Sequence, residues 1–235
     1  MSTPNITRWI GIGLLGLPLY GALTFWSSLD PQPDYNTQLE AWSRYVTTNY
    51  YVLGHLFGSI FGLIFAIFGV FALGAYLARS RAGRMGLVAM VITVLGSALF
   101  LPAMGVSTFS SPEEGQAVLA GLEEFEELPP IFANTVYGLT NLVVILLGFV
   151  GNILLGVAVW RSGTLPRWAG ALWAGAHVLM YLSQVYAATI GPPSTPVTVP
   201  LGAALVVISG AWMAWSVLSR PSAQAVGVQA QPRVQ

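Results

Sequence analysis

The sequence predicts an all-α fold, a six-span transmembrane helical bundle, from the amount and the placement of its charge. Of the 235 residues, 8% are charged and 55% are hydrophobic, whereas a soluble domain carries about 25% charged residues. A water-facing surface needs those charges for solubility, so this chain needs lipid as its solvent. The charged residues also lie in short segments between uncharged stretches that are long enough to cross a bilayer.

The uncharged stretches define the spans, because a membrane-spanning helix needs about 20 apolar residues. The last stretch, 168–219, is long enough for two helices and is interrupted by four prolines between Pro192 and Pro200. Proline lacks the backbone N–H that a helix needs, so this stretch is predicted as two spans. The six predicted spans are residues 9–29, 51–78, 85–109, 131–160, 168–189 and 201–218.

The two signs of charge alternate along the chain, and this alternation predicts the orientation. Arginines precede the first span, occupy the turns after the second and fourth spans, and follow the sixth, while the acidic residues lie in the loops between. Arginine-rich loops stay cytoplasmic. Both termini are therefore predicted to be cytoplasmic, in the plasma membrane (inner membrane) of a bacterium. The transmembrane domain then covers residues 1–220, and residues 221–235 are predicted to be a disordered cytoplasmic tail.

Four residues near the end of the second span recur 82 residues later, near the end of the fourth. The same offset places the first span on the third and the third on the fifth. This pattern predicts a tandem helical-hairpin repeat, with convergence of glycine-rich spans as the alternative. The matched pairs are Gly69 with Gly151, Gly74 with Gly156, Arg79 with Arg161, and Ser80 with Ser162.

Both acidic loops carry the pattern of a short amphipathic helix. In the first, Trp42 and Val46 share an apolar face, and Glu40 stands four residues before Arg44, a favourable spacing for a helical ion pair. In the second, the residues 111–114 (Ser-Pro-Glu-Glu) are typical of a helix start.

The chain lacks several kinds of residue on which membrane chemistry depends. No Asp, Glu, Arg or Lys lies within a predicted span, which counts against carboxylate-driven transporters and against enzymes with paired intramembrane carboxylates. Without cysteine there is no thiol chemistry, and without lysine there is no Schiff base for retinal. A net charge of zero offers no basic surface for a nucleic-acid partner.

Neutral polar side chains remain on three spans, where helical spacing places them on single faces. Polar groups exposed to lipid would lack partners, so these faces should point inward. At about 1.5 Å of depth per residue, most of them fall in the outer leaflet. This predicts a neutral polar pocket that opens to the outside, and its candidate residues are His55, Ser59, Tyr137, Asn141, His177, Tyr181 and Gln184.

Such a pocket predicts a non-enzymatic integral membrane protein that binds a small or lipophilic ligand, or a membrane-protein partner, within the lipid bilayer. Hydrogen bonding between helices, with no ligand, is the simpler interpretation of the same residues. The alternative is a membrane redox protein or enzyme that uses His55 and His177, either as ligands of a b-type haem or for acid/base chemistry. No cofactor is predicted, because about 12 Å of depth separates the two histidines, too far for one haem. No metal is predicted, because two histidines without cysteine or a nearby carboxylate make an incomplete ligand set.

The turn from Trp160 to Gly170 is similar to a turn found in other proteins. A helix that ends in Trp-Arg-Ser-Gly, followed by Leu-Pro-Arg-Trp and a helix rich in small residues, resembles uncharacterised bacterial multi-pass membrane proteins of domain-of-unknown-function families. The resemblance covers this turn and its two flanking spans, about a quarter of the chain. It implies a bacterial inner-membrane protein with six or seven spans, and it transfers no active-site residue.

Overall fold

The computed structural model describes residues 3–122, 135–189 and 196–220, which are helical or in turns and contain no strand. The all-α prediction is confirmed for this part of the chain. The elements in chain order are α1 (Thr3–Leu14), α2 (Gly16–Ser27), α3 (Leu39–Val46), α4 (Asn49–Leu53), a π-helical segment (Gly54–Phe61), α5 (Gly62–Leu77), α6 (Gly83–Phe109), α7 (Ser111–Leu119), α8 (Thr135–Ser162), α9 (Arg167–Thr189) and α10 (Thr198–Leu218).

Five segments of the described chain are long and apolar enough to cross a membrane. Large apolar side chains also lie on the outside of the protein, where Phe68 is 61% exposed and Trp215 is 71% exposed. In water such a surface would be costly, whereas in lipid it is the favourable one. The five segments are Ile6–Ser27, Asn49–Leu77, Gly83–Leu119, Gly138–Ser162 and Thr198–Leu218.

The long helices form a closed ring in chain order. Helix α2 packs against α5, α5 against α6, α6 against α8, α8 against α9, and α9 against α10, which returns to α2. Short turns at 78–82 and 163–166 explain this order, because a short connection forces consecutive helices to be antiparallel neighbours. We call the end of the ring that carries these two turns the arginine face, and the opposite end, which carries α3 and α7, the acidic face.

The first predicted span differs from the structure, because it consists of two helices rather than one. The break falls at Leu15, whose N–H bonds to the carbonyl oxygen of Ile12 at 3.0 Å in a tight turn. Pro18 lies three residues further on and cannot donate a hydrogen bond to the preceding turn. The missing N–H of Pro18 therefore accounts for an interruption of the helix within this span.

The matched glycines of the second and fourth spans lie at equivalent helix contacts. A Cβ atom on Gly69 would meet α2, the preceding helix of the ring, and one on Gly151 would meet α6, the helix that precedes α8. Gly74 and Gly156 instead approach the following helices, α6 and α9 respectively. Glycine permits these contacts because it has no side chain to separate the helices.

A serine oxygen accepts backbone hydrogen bonds in each of the two arginine turns. The Ser80 hydroxyl accepts a hydrogen bond from the N–H of Ala82 at 3.2 Å. The Ser162 hydroxyl accepts from the N–H groups of Thr164 and Leu165, each at 3.2 Å. In both turns the serine oxygen therefore pairs with N–H groups that lie between the two helices.

Both short amphipathic helices predicted in the acidic loops are confirmed, as α3 and α7, and they pack against each other. Trp42 and Val46, which belong to α3, are buried. The predicted pair of Glu40 and Arg44 forms at 2.6 Å, although both side chains are at least 70% exposed, so it adds little stability. The predicted tail (221–235), and the first residues of the fourth predicted span (131–134), lie outside the described part of the chain.

Candidate functional site

A cavity of about 160 Å³ lies under α3 at the acidic face, and we call it the cap pocket. The loop residues 32–36 form one wall, and the first turns of the second span form another. The end of α6 and the start of α7 contribute Ser107 and Ser111. The pocket is therefore built by segments that are far apart in sequence and meet only in the folded protein.

His55 lies in the π-helical segment and lines the cap pocket. Its Nδ1 is 3.1 Å from the carbonyl oxygen of Tyr51, and the two rings lie 4.0 Å apart. A carbonyl can only accept a hydrogen bond, so Nδ1 carries the proton in this contact, and Nε2 of the neutral ring is an acceptor. Single π-helical turns are rare and occur often at functional sites.

Aromatic side chains and their hydrogen bonds hold the rest of the cap pocket. The rings of Tyr35 and Trp42 meet edge to face at 4.7 Å. The Tyr35 hydroxyl donates to Oε1 of Glu114 at 2.9 Å, and the Tyr51 hydroxyl donates to the carbonyl oxygen of Ser107 at 2.9 Å. These bonds connect the loop to α7 and the second span to α6, so the pocket walls are fixed from both sides.

The cap pocket differs from the neutral pocket that the spans predict, because Asp34 also lines it. The Asp34 carboxylate accepts a hydrogen bond from the N–H of Asn36 at 2.7 Å, which orders the loop around it. Burial, the hydrogen bond to Glu114 and the charge of that carboxylate raise the pKa of Tyr35 to about 12. Among the described residues of the acidic face, the one arginine, Arg44, is paired with Glu40. The pocket therefore lies in a negative field.

A second cavity, of about 50 Å³, lies inside the ring, and we call it the central cavity. Side chains from α2, α5, α6, α8 and α9 line it, including Tyr20 and Tyr181. A cavity of this size holds a water molecule or two rather than an organic ligand.

The structure divides the predicted site between these two cavities. His55 lines the cap pocket and Tyr181 lines the central cavity. His177 is buried in the core between Trp173 and Tyr181, with ring centroids 4.6 Å and 6.2 Å away, and its Nδ1 lies 2.8 Å from the carbonyl oxygen of Trp173. These three candidates therefore do not converge on one pocket.

Of the other four candidates, the two whose side chains the structure describes line neither cavity. Ser59 is half-buried in the π-helical segment, and Asn141 is half-buried on α8; neither lines the cap pocket or the central cavity. The side chains of Tyr137 and Gln184 lie outside the described part of the structure. Their predicted role stays a prediction.

The two histidines lie on the second and fifth long helices of the ring. The π-helical segment that carries His55 packs mainly against α2, α4, α5 and α6, whereas α9, which carries His177, packs against α8 and α10. A haem bound by both histidines would need them to face each other across one gap. The packing of the described helices provides no such arrangement.

Reasoning from the sequence missed the loop residues of the cap pocket, chiefly Asp34, Tyr35 and Trp42. One signal was available, since five aromatic residues lie between positions 35 and 51, in the loop before the second span and in the first turn of that span. Aromatic rings at that density favour a binding surface rather than a simple connection.

The fold and the cap pocket together describe a helical protein with five segments long and apolar enough to span a membrane, and an aromatic, acidic pocket at one end of the described part of the chain. Comparisons of the chain with protein families, with curated proteins and with solved structures found no match. The function is therefore argued from the geometry of the site.

Proposed function

We propose that this chain is a non-enzymatic, six-span protein of the bacterial plasma membrane that binds a small organic cation in its cap pocket, from the outside of the cell. The observation that carries the proposal is the cap pocket itself, which joins a carboxylate, three aromatic side chains and a histidine in one cavity. The arginine face is then cytoplasmic, as arginine-rich turns favour. Helix α9 is the span that completes the six, and the fifth in chain order, since it has 23 residues and packs between two candidate spans.

The chemistry of the cap pocket favours a positively charged ligand. Tyr35, Trp42 and Tyr51 supply aromatic rings, which attract cations through their negative faces. Asp34 supplies a formal negative charge, and Nε2 of His55 supplies a hydrogen-bond acceptor. A volume of about 160 Å³ accepts a compact molecule rather than a lipid chain. A small alkylammonium compound satisfies all of these requirements.

The proposal is tested with choline and with its uncharged isostere 3,3-dimethyl-1-butanol, by calorimetric titration of the purified protein in detergent. Both probes have the same shape, so charge alone separates them. We expect saturable binding of choline and at least about tenfold weaker binding of the isostere, because the isostere forgoes the cation–π and carboxylate interactions. Equal binding of both probes, or binding of neither, would contradict the proposal.

Two variants locate the binding. Asp34→Asn removes the charge of the pocket and is expected to weaken choline binding about tenfold. His55→Gln is compared with His177→Gln, a matched control in which the altered histidine lies in the core and lines neither cavity. Choline binding should fall in the first and stay unchanged in the second, provided that both proteins melt cooperatively.

We also propose that the ring is built of three tandem hairpins. Two observations support this: the equivalent helix contacts of the matched glycines and the backbone hydrogen bonds that Ser80 and Ser162 accept in the two arginine turns. Three hairpins of one orientation, joined in sequence, would close into a ring of six helices with the arginine turns at one end.

A further inference from the structure

A wide cavity of about 690 Å³ opens at the arginine face, at the end of the ring opposite the cap pocket. The turn between α5 and α6 and the end of α8 form its walls. Arg81, Arg84 and Arg161 line it together. The volume lies in the range of pockets that hold small-molecule ligands, and three guanidinium groups give it a strongly positive lining.

No carboxylate neutralises this lining within the described part of the chain, where the one ion pair lies at the acidic face. Two other arginines of the same face have aromatic partners instead. The Arg167 guanidinium lies 5.7 Å from the ring of Trp160 and 5.5 Å from that of Trp168, and Arg220 lies 5.8 Å from the ring of Tyr76. The lining of the cavity therefore keeps the positive charge of its three arginines, which favours an anionic ligand.

The backbone adds further donors to the same cavity. Arg84 and Met85 line it at the first turn of α6, where N–H groups have no partner within the helix. Among the described residues, no turn or loop carbonyl accepts from either of these two N–H groups. The start of this 27-residue helix also carries a partial positive charge, which adds to that of the arginines.

An apolar groove of about 370 Å³ begins where the arginine cavity ends, and Arg161 lines both. The groove runs between α8 and α9. Its floor is made of small residues, which allow these two helices to pack closely there. Trp160 lies at its edge. The other lining residues are Gly156, Val157, Gly170, Ala171 and Ala174.

We propose that this pair of cavities is a binding site for an anionic phospholipid, with the phosphate among Arg81, Arg84 and Arg161 and an acyl chain in the groove. The charge of the first cavity selects the anionic headgroup, since arginine binds phosphate oxygens through paired hydrogen bonds. Arg161 lines both cavities, so the charged and apolar parts of the site meet at one side chain. A free phosphate ion would use only the first cavity and would leave the groove empty.

The test is a titration of the full-length protein, purified in mild detergent, with phosphatidylglycerol and with phosphatidylcholine of the same acyl chains. Thermal stability and native mass spectrometry report binding. We expect phosphatidylglycerol to bind saturably and to raise Tm, and phosphatidylcholine to bind at least about tenfold more weakly. Glycerol 3-phosphate, which has the headgroup chemistry without the chains, should not compete. Equal binding of the two lipids, or competition by glycerol 3-phosphate at similar concentrations, would overturn the proposal.

Arginine variants locate the site. Arg81→Gln, Arg84→Gln and Arg161→Gln should each weaken phosphatidylglycerol binding about fivefold, and the triple variant about a hundredfold. Arg79→Gln is the matched control, because Arg79 belongs to the same turn and carries the same charge but does not line the cavity. An equal loss in Arg79→Gln would show diffuse attraction to the membrane and refute a built site.

Filling the groove tests the acyl chain separately. Ala171→Phe occupies the groove and leaves all three arginines in place, so it should weaken phosphatidylglycerol binding at unchanged Tm of the lipid-free protein. Unchanged binding would overturn the assignment of the acyl chain to the groove. If Arg161→Gln does not fold, Arg81→Gln and Arg84→Gln carry the test, since these side chains are exposed and their loss disturbs no packing.

Discussion

His55 and His177 make the same local contact but have different surroundings. Each places Nδ1 against the carbonyl oxygen four residues earlier, at 3.1 Å and 2.8 Å respectively. The His177 side chain is 1% exposed and is enclosed by the core, whereas His55 is half-buried and borders a cavity. The same residue type thus stabilises packing in one place and is available to a ligand in the other, and this difference comes from the neighbours rather than from the residue.

Tyr35 allows a test of the loop that closes the cap pocket. Its hydroxyl donates to the Glu114 carboxylate, and Tyr35→Phe removes this bond without changing the ring. We expect the variant to be less stable by about 1 kcal/mol at neutral pH, because a hydrogen bond to a charged acceptor is lost. Thermal melting of the two proteins in the same detergent measures the difference.

The effect of Tyr35→Phe should depend on pH. Burial and Glu114 raise the pKa of Tyr35 to about 12, while in the unfolded chain it is about 10. Between these values the unfolded state loses the phenol proton and the folded state keeps it, so rising pH favours unfolding. The advantage of the natural protein over the variant should be full below pH 10 and should shrink toward pH 12. A difference that stays constant across that window would contradict the contact.

At the scale of single elements, the π-helical segment differs from the regular helix that the sequence predicts for the second span. The 3.6-residue period places His55 and Ser59 on one inward face of that span. In the structure Gly54, Gly58 and Gly62 are buried, and His55 and Ser59 are half-buried. No local pattern signals the π-helical segment: Gly58 fits against Ser27 of another helix, and such tertiary contacts lie beyond what periodicity can predict.

Close approach of α8 and α9 gives a second element-scale prediction. A methyl group on Gly170 would overlap the carbonyl oxygen of Gly156 and lie 2.8 Å from the backbone nitrogen of Trp160. These are backbone atoms, which cannot rotate away. Gly170→Ala should therefore cost about 1–3 kcal/mol of stability through overpacking, seen as a lower Tm of the purified protein.

Gly175 is the matched control for Gly170, since it lies on the same helix and has no heavy atom within 4 Å of an added Cβ. Gly175→Ala should leave Tm unchanged or raise it slightly, because alanine is the better helix former. If both substitutions lowered Tm equally, the cause would be a general intolerance of alanine in α9, and the proposed close packing would be wrong.

At the scale of the whole molecule, the sequence predicts best the features that depend on the bilayer, namely the lengths of the spans and the positions of the charges. Span length and charge position follow from the thickness and polarity of the bilayer, so α6 and α10 begin within three residues of their predicted starts. The cap pocket follows no such rule. Loop residues 32–36 lie beside Ser107 and Ser111 only in the folded protein. Nothing in the local sequence of either segment indicates that the two segments meet.

The two ends of the ring carry opposite chemistry. Carboxylates and aromatic rings surround the cap pocket at the acidic face, while arginines line the wide cavity at the other end. One protein would then attract cations at one end and lipid phosphates at the other. This polarity follows from the same alternation of charge that predicts the orientation. The number of membrane crossings decides whether the two termini lie on the same side of the membrane, because an odd number would place them on opposite sides.

The absence of cysteine from the sequence makes the topology directly measurable by labelling single-cysteine variants in whole cells with a membrane-impermeant maleimide. Asn36→Cys and Ser110→Cys lie at the acidic face, and Ala78→Cys and Ser219→Cys at the arginine face, all at exposed positions. We expect the first pair to be labelled in intact cells and the second pair only after permeabilisation. Ser219 is the decisive position, because it follows α10. If α9 did not cross the membrane, residues 78 and 219 would lie on opposite sides, and labelling of Ser219→Cys in intact cells would reduce the protein to five spans.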